Sequence, residues 1–301
     1  MKREIKLANP RGFCAGVDRA IEIVNQALLK FGPPVYVRHE VVHNRNVVED
    51  LKSKGAIFVE QIDEIPEGAI TIFSAHGVSK KVVDDAEIKN LNYFDATCPL
   101  VTKVHMEVIR YARQGLDIIL VGHDNHPEVE GTLGRFPHDS KGKIYLVESE
   151  IDAKNIEIDQ PSNLAMVTQT TLSVDDTKSI INILKKRFPK LISPSSDDIC
   201  YATQNRQDAV KQLALETELI IIVGSNNSSN SNRLKELSEH CGVKSILVDD
   251  PDEIVPELLG GIFKLGISAG ASAPESLVQS IVLKCQKLGF EMSQELDGLK
   301  E

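Results

Sequence analysis

Apolar residues along the chain follow two spacings, and each spacing indicates one type of secondary structure. Three stretches, each directly after a cysteine, have apolar residues at every third or fourth position, which is the spacing of one helix face. These positions are Val17, Ile21, Val24 and Leu28 after Cys14, Val101, Val104 and Val108 after Cys98, and, more weakly, Ala209, Val210 and Leu213 after Cys200. Between the predicted helices lie short apolar runs such as IILVG and IIIVG, which are typical of buried strands.

The same four elements follow one another three times along the chain. Each cysteine segment is followed by a strand with a polar turn, a strand that ends in an acid, and a strand that opens into a second polar turn. The cysteine and the first polar turn are 29, 28 and 28 residues apart in the pairs Cys14–His43, Cys98–His126 and Cys200–Ser228. We therefore predict three similar α/β units, over residues 1–96, 97–195 and 196–301, the last with a C-terminal tail.

Strands that alternate with helices favour parallel sheets with crossover helices, so the predicted fold class is α/β. In such sheets ligands bind beyond the carboxyl ends of the strands, where the predicted polar turns lie. Three units of one kind suggest a trefoil around a pseudo-threefold axis. In that arrangement Cys14, Cys98 and Cys200 would face one central cavity together with the polar turns, a hypothesis that well-separated sulfur atoms would contradict.

Composition and charge narrow the classes of protein to which the chain can belong. It has 301 residues, of which 42% are apolar and 26% charged, as is ordinary for globular domains. Its net charge of -10 argues against a general binder of nucleic acid or anionic membranes, which needs a basic face. No apolar run approaches the roughly 18 to 20 residues of a membrane span, and MKREIKLANP lacks the apolar core of a signal peptide. We therefore expect a cytoplasmic protein.

In a reducing compartment disulfides are not expected, so any chemistry of the five cysteines would be metal binding or catalysis, and the simplest alternative is that they are buried apolar residues. Cys14, Cys98 and Cys200 each precede a predicted helix, whose dipole favours a thiolate. Three thiolates fit an iron–sulfur cube in which one iron lacks a protein ligand, and they also fit a zinc site with a bound water. A third alternative is three core cysteines in a repeated fold. Cys241 and Cys285 have no counterparts in the other units and are interpreted as structural.

The polar turns contain side chains that suit a small anionic ligand. SNNSSNSN, residues 225–232, precedes a predicted helix, and its hydroxyl, amide and backbone N–H groups suit phosphate oxygens. The alternative is an ordinary helix cap, which needs only one such residue. His43, His76 and His126 lie in matched turns, which favours a shared anionic ligand. Glu128 is either a surface acid that complements its helix dipole or a proton donor in the pocket.

Nine long stretches of the sequence resemble one known family. They are NPRGFCAGVDRAI, YVRHEVVHN, FSAHGVS, DATCPLVTKVH, HPEVEG, TQTTLSVDDT, DDICYATQNRQ, GSNNSSNSNRL and AGASAP, and together they extend over roughly residues 5–290. These stretches resemble the 4-hydroxy-3-methylbut-2-enyl diphosphate reductases of the methylerythritol phosphate route to isoprenoids. The trefoil of three α/β units in that family agrees with the repeats found here. The tail after Phe290 shows no strong pattern.

The resemblance implies a cofactor and a set of site residues. By it, Cys14, Cys98 and Cys200 ligate one [4Fe–4S] cluster per chain, and the substrate hydroxyl binds the open iron. The substrate diphosphate would contact polar side chains of the matched turns, namely His43, His76, His126, Ser228, Ser229, Asn230 and Ser272. The catalytic residues would be Glu128, which supplies protons, Thr170, which orients the hydroxyl and a water, and His126.

The implied reaction is a reductive dehydroxylation. Two electrons, delivered singly by reduced ferredoxin or flavodoxin, would expel the hydroxyl as water and give isopentenyl or dimethylallyl diphosphate. Hydroxide is a poor leaving group, so a Lewis acid and a proton donor both lower the barrier. On the residues alone, two other functions stay open: a zinc hydrolase that acts on a phosphorylated metabolite, and a non-catalytic protein that binds a diphosphate.

Overall fold

The computed structural model describes residues 2–194, 198–296 and 298, and over them it has ten α-helices and twelve β-strands. The helices are α1 (Ala15–Phe31), α2 (Arg45–Ser53), α3 (Lys80–Ile88), α4 (Pro99–Arg113), α5 (Pro127–Leu133), α6 (Glu150–Asn155), α7 (Val174–Arg187), α8 (Tyr201–Ala214), α9 (Ser229–His240) and α10 (Glu275–Lys287). The strands are β1 (Glu4–Leu7), β2 (Val35–Arg38), β3 (Ala56–Val59), β4 (Ile70–Phe73), β5 (Asn92–Asp95), β6 (Asp117–Val121), β7 (Ile144–Val147), β8 (Leu164–Thr168), β9 (Leu219–Val223), β10 (Lys244–Val248), β11 (Lys264–Ala269) and β12 (Glu291–Glu295). The helices predicted after the three repeat cysteines are confirmed as α1, α4 and α8.

The strands form three sheets, and the strand pairs within them are parallel. Their orders are β3-β2-β4-β5, β7-β6-β8 and β10-β9-β11-β1-β12. Parallel neighbours need crossover connections, and helices between the strands provide them. The predicted α/β fold class is therefore confirmed.

The segment before each repeat cysteine, a strand in two cases and an isolated bridge in the third, pairs in parallel with another strand. β5 precedes Cys98 and pairs with β4, and Ile192, which precedes Cys200, forms a parallel bridge with Ala165 of β8. β1 precedes Cys14 and pairs with β11, near the other end of the chain. It therefore lies in the sheet of β9 rather than in the sheet of residues 35–95. Periodicity along the chain does not reveal this pairing.

The C-terminal tail contains a strand that the sequence analysis did not predict. β12 pairs in parallel with β1, and all five of its residues are exposed. An exposed strand of mostly polar residues has no apolar alternation, so its pattern carries no strand signal. The last part of the tail, residues 297 and 299–301, lies outside the described residues.

Two of the three sheets contain apolar strands that are buried along their whole length. All five residues of β6, β8 and β9 are buried, as is typical of parallel sheets between helices. Ile220 and Ile222 of β9 pack with Val210 and Leu213 of α8 in one apolar cluster. This packing fixes the strand whose carboxyl end opens into the SNNSSNSN turn.

Contacts along the chain divide it into two compact units. The first contains Met1–Asp18, His43–Asp50 and Tyr201–Glu301, and the second contains Arg19–Val42 and Leu51–Cys200. The sheet of β9 belongs to the first compact unit and the other two sheets to the second. The division into three units around one axis, with boundaries at 96 and 195, stays a prediction. Across the described part of the chain, none of the helices has the length and apolarity that crossing a membrane requires.

Candidate active site

The three repeat cysteines share one backbone setting. Each lies directly before the first residue of a helix, and its backbone N–H donates to the carbonyl oxygen two residues beyond the end of a strand. These hydrogen bonds join Cys14 to Ala271 (3.3 Å), Cys98 to Ala75 (3.0 Å) and Cys200 to Thr170 (3.1 Å), beyond β11, β4 and β8 respectively. The three cysteines therefore occupy equivalent positions relative to their neighbouring strands and helices.

The chemistry of these three thiols suits a metal cluster. Each is partly exposed, and none of the five cysteines, all of which are described, forms a disulfide. A helix N-terminus stabilises negative charge and so favours the thiolate that binds metal. Among the described residues of each compact unit, no three or more His, Cys, Asp or Glu side chains form a group that could hold a single metal ion. A cluster does not need such a group, because each thiolate binds a different iron.

The other two cysteines lack this setting. Cys285 is buried in α10, and burial raises the pKa of its thiol to about 11, so it stays neutral at ordinary pH. Cys241 follows the C-terminal end of α9, where the helix dipole disfavours an anion. Neither thiol therefore has the helix N-terminus that would stabilise a thiolate ligand.

Glu128, in the first turn of α5, is a buried acid with only 2% of its surface exposed. It accepts two hydrogen bonds from Thr170, one from the backbone N–H at 2.7 Å and one from the hydroxyl at 3.0 Å. Burial raises the pKa of Glu128 to about 7, although the hydrogen bonds from Thr170 act in the opposite direction. A carboxyl with this pKa is present in both protonation states near neutral pH, as a group that transfers protons must be.

Histidine rings lie next to this acid. His126 is the N-cap of α5, and its Nδ1 accepts from the backbone N–H of Glu128 at 3.1 Å. Nδ1 is therefore the unprotonated ring nitrogen, and a neutral ring has its proton on Nε2. The ring of His76 lies edge-on to that of His126 at 5.9 Å between centroids, and the ring of His39 lies edge-on to His76 at 6.2 Å. Sequence reasoning did not select His39, which contacts Glu60 at 2.6 Å and has no matched turn in the other repeats.

The sequence analysis also did not predict a buried ionic cluster that Asp198, two residues before Cys200, forms with Lys103 and Glu107. Asp198 Oδ1 contacts Lys103 Nζ at 3.0 Å, and Oδ2 accepts from the backbone N–H of Thr168 at 3.0 Å. Burial raises the pKa of Asp198, while Lys103 opposes the shift. Glu107, one turn after Lys103 on α4, also has a raised pKa, first because it is buried and then because Asp198 is near. Only burial distinguishes these acids from surface acids, and the sequence does not show it.

In the first compact unit, polar turns meet at Ser228 and Ser272. Their hydroxyl oxygens are 3.3 Å apart, and the Ser272 hydroxyl donates to the carbonyl oxygen of His43 at 2.8 Å. Ser228 is the N-cap of α9, and its hydroxyl oxygen accepts from the backbone N–H and the hydroxyl of Ser231. The turns after β9 and β11 and the segment around His43 therefore form one polar cluster.

Asn230 connects this polar cluster to the first cysteine. It is buried, its side-chain oxygen accepts from the backbone N–H of Ala271 at 2.8 Å, and its amide nitrogen lies 3.4 Å from the Thr203 hydroxyl. The carbonyl of Ala271 is the group that accepts from the N–H of Cys14. Ser229 is the first residue of α9 and is half-buried.

The predicted site residues fall into two groups. The second compact unit contains Cys98, Cys200, His76, His126, Glu128 and Thr170, and the first contains Cys14, His43, Ser228, Ser229, Asn230 and Ser272. Their convergence on one cavity, and the role of each, stay predictions. Asn44 adds a residue that the sequence analysis did not select, because its side chain is buried and its Nδ2 has no hydrogen-bond partner among the described residues. Its position directly after His43 was the only available signal.

The chain matches one protein family over nearly its whole length. The sequence model of the family described as LytB protein matches residues 5–286. Relatives named 4-hydroxy-3-methylbut-2-enyl diphosphate reductase include those of Chromohalobacter salexigens and Alcanivorax borkumensis, each 60% identical over 298 residues. These alignments cover 99% of this chain and 94% and 96% of the respective relatives.

Solved structures agree with this match. The E-1-hydroxy-2-methyl-but-2-enyl-4-diphosphate reductase of Plasmodium falciparum superposes with a TM-score of 0.94 at 39% identity, over 100% of this chain and 94% of that chain. A structure of (E)-4-hydroxy-3-methyl-but-2-enyl diphosphate reductase, the terminal enzyme of the non-mevalonate pathway, gives a TM-score of 0.65 at 33% identity, over 95% of this chain and 99% of that chain. The resemblance found in the motifs is therefore confirmed, and the chain belongs to the LytB protein family.

Proposed function

We propose that the chain is an oxidoreductase that converts (E)-4-hydroxy-3-methylbut-2-enyl diphosphate to isopentenyl diphosphate and dimethylallyl diphosphate. The proposal rests on the shared backbone setting of Cys14, Cys98 and Cys200, in a chain 60% identical to relatives named for this reaction. The overall reaction takes up two electrons and two protons. The bond from carbon to the hydroxyl oxygen breaks, water leaves, and a C–H bond forms at one end of the allyl group.

Cys14, Cys98 and Cys200 would hold one [4Fe–4S] cluster per chain. Three thiolates at helix N-termini support this assignment, since they leave one of the four irons without a protein ligand. When bound, the cluster would supply electrons one at a time and an open Lewis-acid position for the hydroxyl oxygen of the substrate.

Glu128 and Thr170 would move the protons. In the structure the Thr170 hydroxyl donates to Glu128 Oε2 across 3.0 Å. When Glu128 is protonated, this bond would reverse, so that Oε2 donates to the Thr170 hydroxyl and the hydroxyl donates its own proton onward. The pKa of about 7 keeps Glu128 protonated in part of the molecules at neutral pH. Since the Thr170 carbonyl accepts from the N–H of Cys200, the proton-transferring hydroxyl is also fixed relative to one of the proposed ligands.

The diphosphate would bind at the polar turns through neutral donors and histidines, namely His43, His76, His126, Ser228, Ser229, Asn230 and Ser272. The N-terminus of the twelve-residue helix α9 supports this placement because its backbone N–H groups and dipole favour phosphate oxygens. Asn44, which follows His43 in the chain, adds a donor, its buried amide nitrogen, which has no hydrogen-bond partner among the described residues. Binding energy at the diphosphate, remote from the reacting carbon, would position that carbon for reaction.

The electrons would come from a separate protein. The sequence has no GxGxxG turn after a strand, the pattern typical of nicotinamide and flavin dinucleotide sites, and no GxxxxGK[ST] loop, the pattern typical of nucleoside triphosphate sites. We propose reduced ferredoxin or flavodoxin as the donor and the cytoplasm as the location.

The proposal is tested by metal analysis of protein purified without oxygen. The unaltered chain is compared with Cys98→Ser and, as a matched control, with Cys241→Ser at an exposed cysteine. We expect about four iron and four sulfide ions per chain in the unaltered chain and the control. Cys98→Ser should lose both the cluster and the reduction of the diphosphate substrate. Zinc without sulfide in the unaltered chain would reject the redox mechanism, and an intact cluster in Cys98→Ser would remove Cys98 as a ligand.

A further inference from the structure

Each helix that begins after a repeat cysteine has a basic residue in its second turn. These residues, Arg19 on α1, Lys103 on α4 and Arg206 on α8, follow their cysteines by five, five and six positions, and we call them the three helix cations. Each of them contacts the segment that leads to a different cysteine. The cation of α1 contacts the segment before Cys98, that of α4 the segment before Cys200, and that of α8 the segment before Cys14. None of the three takes part in the reaction proposed above.

Arg206 contacts the segment before Cys14. The side chain is fully buried, and its Nε and Nη2 donate to the carbonyl oxygens of Gly12 and Phe13, each at 3.0 Å. Its Nη1 donates to the carbonyl oxygen of Ala202 on its own helix at 2.9 Å. A planar guanidinium that donates to two successive carbonyls fixes the direction of that peptide segment as well as its position. The residue after this segment is the cysteine itself.

Lys103 makes the corresponding contact before Cys200. Its Nζ lies 3.0 Å from Oδ1 of Asp198, two residues before that cysteine. The other oxygen of Asp198 accepts from the backbone N–H of Thr168, at the end of β8. The side chain of Asp198 is fully buried and that of Lys103 is 29% exposed. Asp198 therefore ties the segment to α4 through the ion pair and to β8 through its other oxygen.

Arg19 makes the contact before Cys98. Its Nη1 donates to the carbonyl oxygen of Thr97 at 3.1 Å. Thr97 is also held by Asp95, because its backbone N–H donates to Oδ1 of Asp95 at 2.9 Å and its hydroxyl donates to the same oxygen. Arg19 is exposed and makes one hydrogen bond to this segment, so its contribution should be the smallest of the three.

We infer that the three helix cations are positioning residues for the cysteine ligands, one cation for each cysteine, and that Arg206 also favours the reduced cluster. The inference rests on the proposed function. A carbonyl or carboxylate fixed one or two residues before a cysteine limits how far its sulfur can move. Reduction adds a negative charge to the cluster, and a cation excluded from water interacts with that charge more strongly than an exposed one does.

The first experiment measures cluster retention. Arg206→Gln, Lys103→Gln and Arg19→Gln are purified without oxygen, beside Arg113→Gln as a control at an exposed arginine in the last turn of α4. Iron and sulfide per chain are determined, and the rate of iron release to an iron(II) chelator is followed. Loss of buried charged hydrogen bonds should accelerate release about tenfold or more in Arg206→Gln and Lys103→Gln. Arg19→Gln should accelerate it about twofold, and the control should not change it.

The second experiment separates positioning from general stability. The midpoint potential of the cluster is measured for the unaltered chain, Arg206→Gln and Arg206→Lys. Removal of the positive charge should lower the potential in Arg206→Gln. Arg206→Lys keeps the charge but lacks the planar fork, so it should retain the potential and still release iron faster than the unaltered chain.

These outcomes distinguish the inference from the proposed function. Equal iron release from the control and from folded Arg206→Gln and Lys103→Gln would overturn the inference alone. If circular dichroism shows that Arg206→Gln does not fold, Lys103→Gln and Arg19→Gln decide the question. An unaltered chain without iron and sulfide would overturn the proposed function and this inference with it.

Discussion

Glu128 and Thr170 are joined by two hydrogen bonds, one to each oxygen of the carboxylate, although 42 residues separate them in the sequence. The pair connects the first turn of α5 to the turn after β8. The same Thr170 backbone accepts from the N–H of Cys200. A buried acid and a proposed cluster ligand are thus both hydrogen-bonded to one residue, Thr170.

Glu128→Gln should nearly abolish turnover while it leaves the cluster and substrate binding intact. Glutamine has the same shape and can still bond to the Thr170 N–H and hydroxyl, but it has no acidic proton. Loss of a general acid lowers kcat by about 100- to 10,000-fold. Turnover and KM are measured with a reduced electron donor in the absence of oxygen, beside iron and sulfide per chain. The matched control is Glu130→Gln at an exposed acid on the same helix, and near-normal kcat in Glu128→Gln would exclude the proton-donor role.

The pH dependence of turnover should follow the protonation of Glu128. Burial raises its pKa to about 7, so the protonated fraction is about half at pH 7 and falls above it. Only the protonated carboxyl donates, so kcat should fall about tenfold per pH unit above that value and level off below it. The measurement is kcat at saturating substrate from about pH 6 to about pH 9. The residual activity of Glu128→Gln should show no such fall, and a flat profile in the unaltered chain would contradict the assignment.

The parts of the fold that the sequence predicted are those with strong periodicity. The helices after Cys14 and Cys98 have apolar residues on one face, and the runs IILV and IIIV are buried strands of the sheets. β1 and β12 were not assigned to their sheet because pairing between the two ends of the chain depends on a free strand edge in space. β12 in addition has only exposed residues.

The sequence likewise predicted some residues of the candidate site and did not predict others. The cysteines and turn residues could be selected because a repeated spacing and long family motifs distinguish them. The partners of those residues could not, because Lys103, Asp198 and Arg206 differ from surface charges only in their burial and in the groups they contact. Asn44 was missed for a similar reason, since a single buried amide has no periodic signal.

Asn230→Ala should weaken binding of the diphosphate substrate more than it slows the chemical step. The substitution removes the side-chain amide proposed to contact the diphosphate, and with it the acceptor for the partly buried Ala271 N–H, which fixes the turn. A lost hydrogen bond of this kind corresponds to about 10- to 100-fold in binding. KM and kcat are measured for Asn230→Ala and for Asn226→Ala, an exposed residue of the same turn. If KM is unchanged and the cluster is lost instead, the turn supports Cys14 rather than the diphosphate.

Gly270→Ala should destabilise the turn that contains Ala271, and a second substitution should relieve the effect. A Cβ on Gly270 would lie 2.0 Å from the Ser231 hydroxyl oxygen, which is closer than two such atoms can approach. Its distance to the Ser231 Cβ would be 3.1 Å, so the hydroxyl oxygen is the main obstacle. Overpacking of this kind costs about 1 to 3 kcal/mol in the free energy of unfolding. Ser231→Ala removes the colliding oxygen, so the double variant should be more stable than the sum of the single effects predicts. Denaturant unfolding of the four chains measures this coupling, with Gly260→Ala as a control because its nearest neighbour would be 3.5 Å away. Strictly additive effects would show that the collision with Ser231 is not the cause.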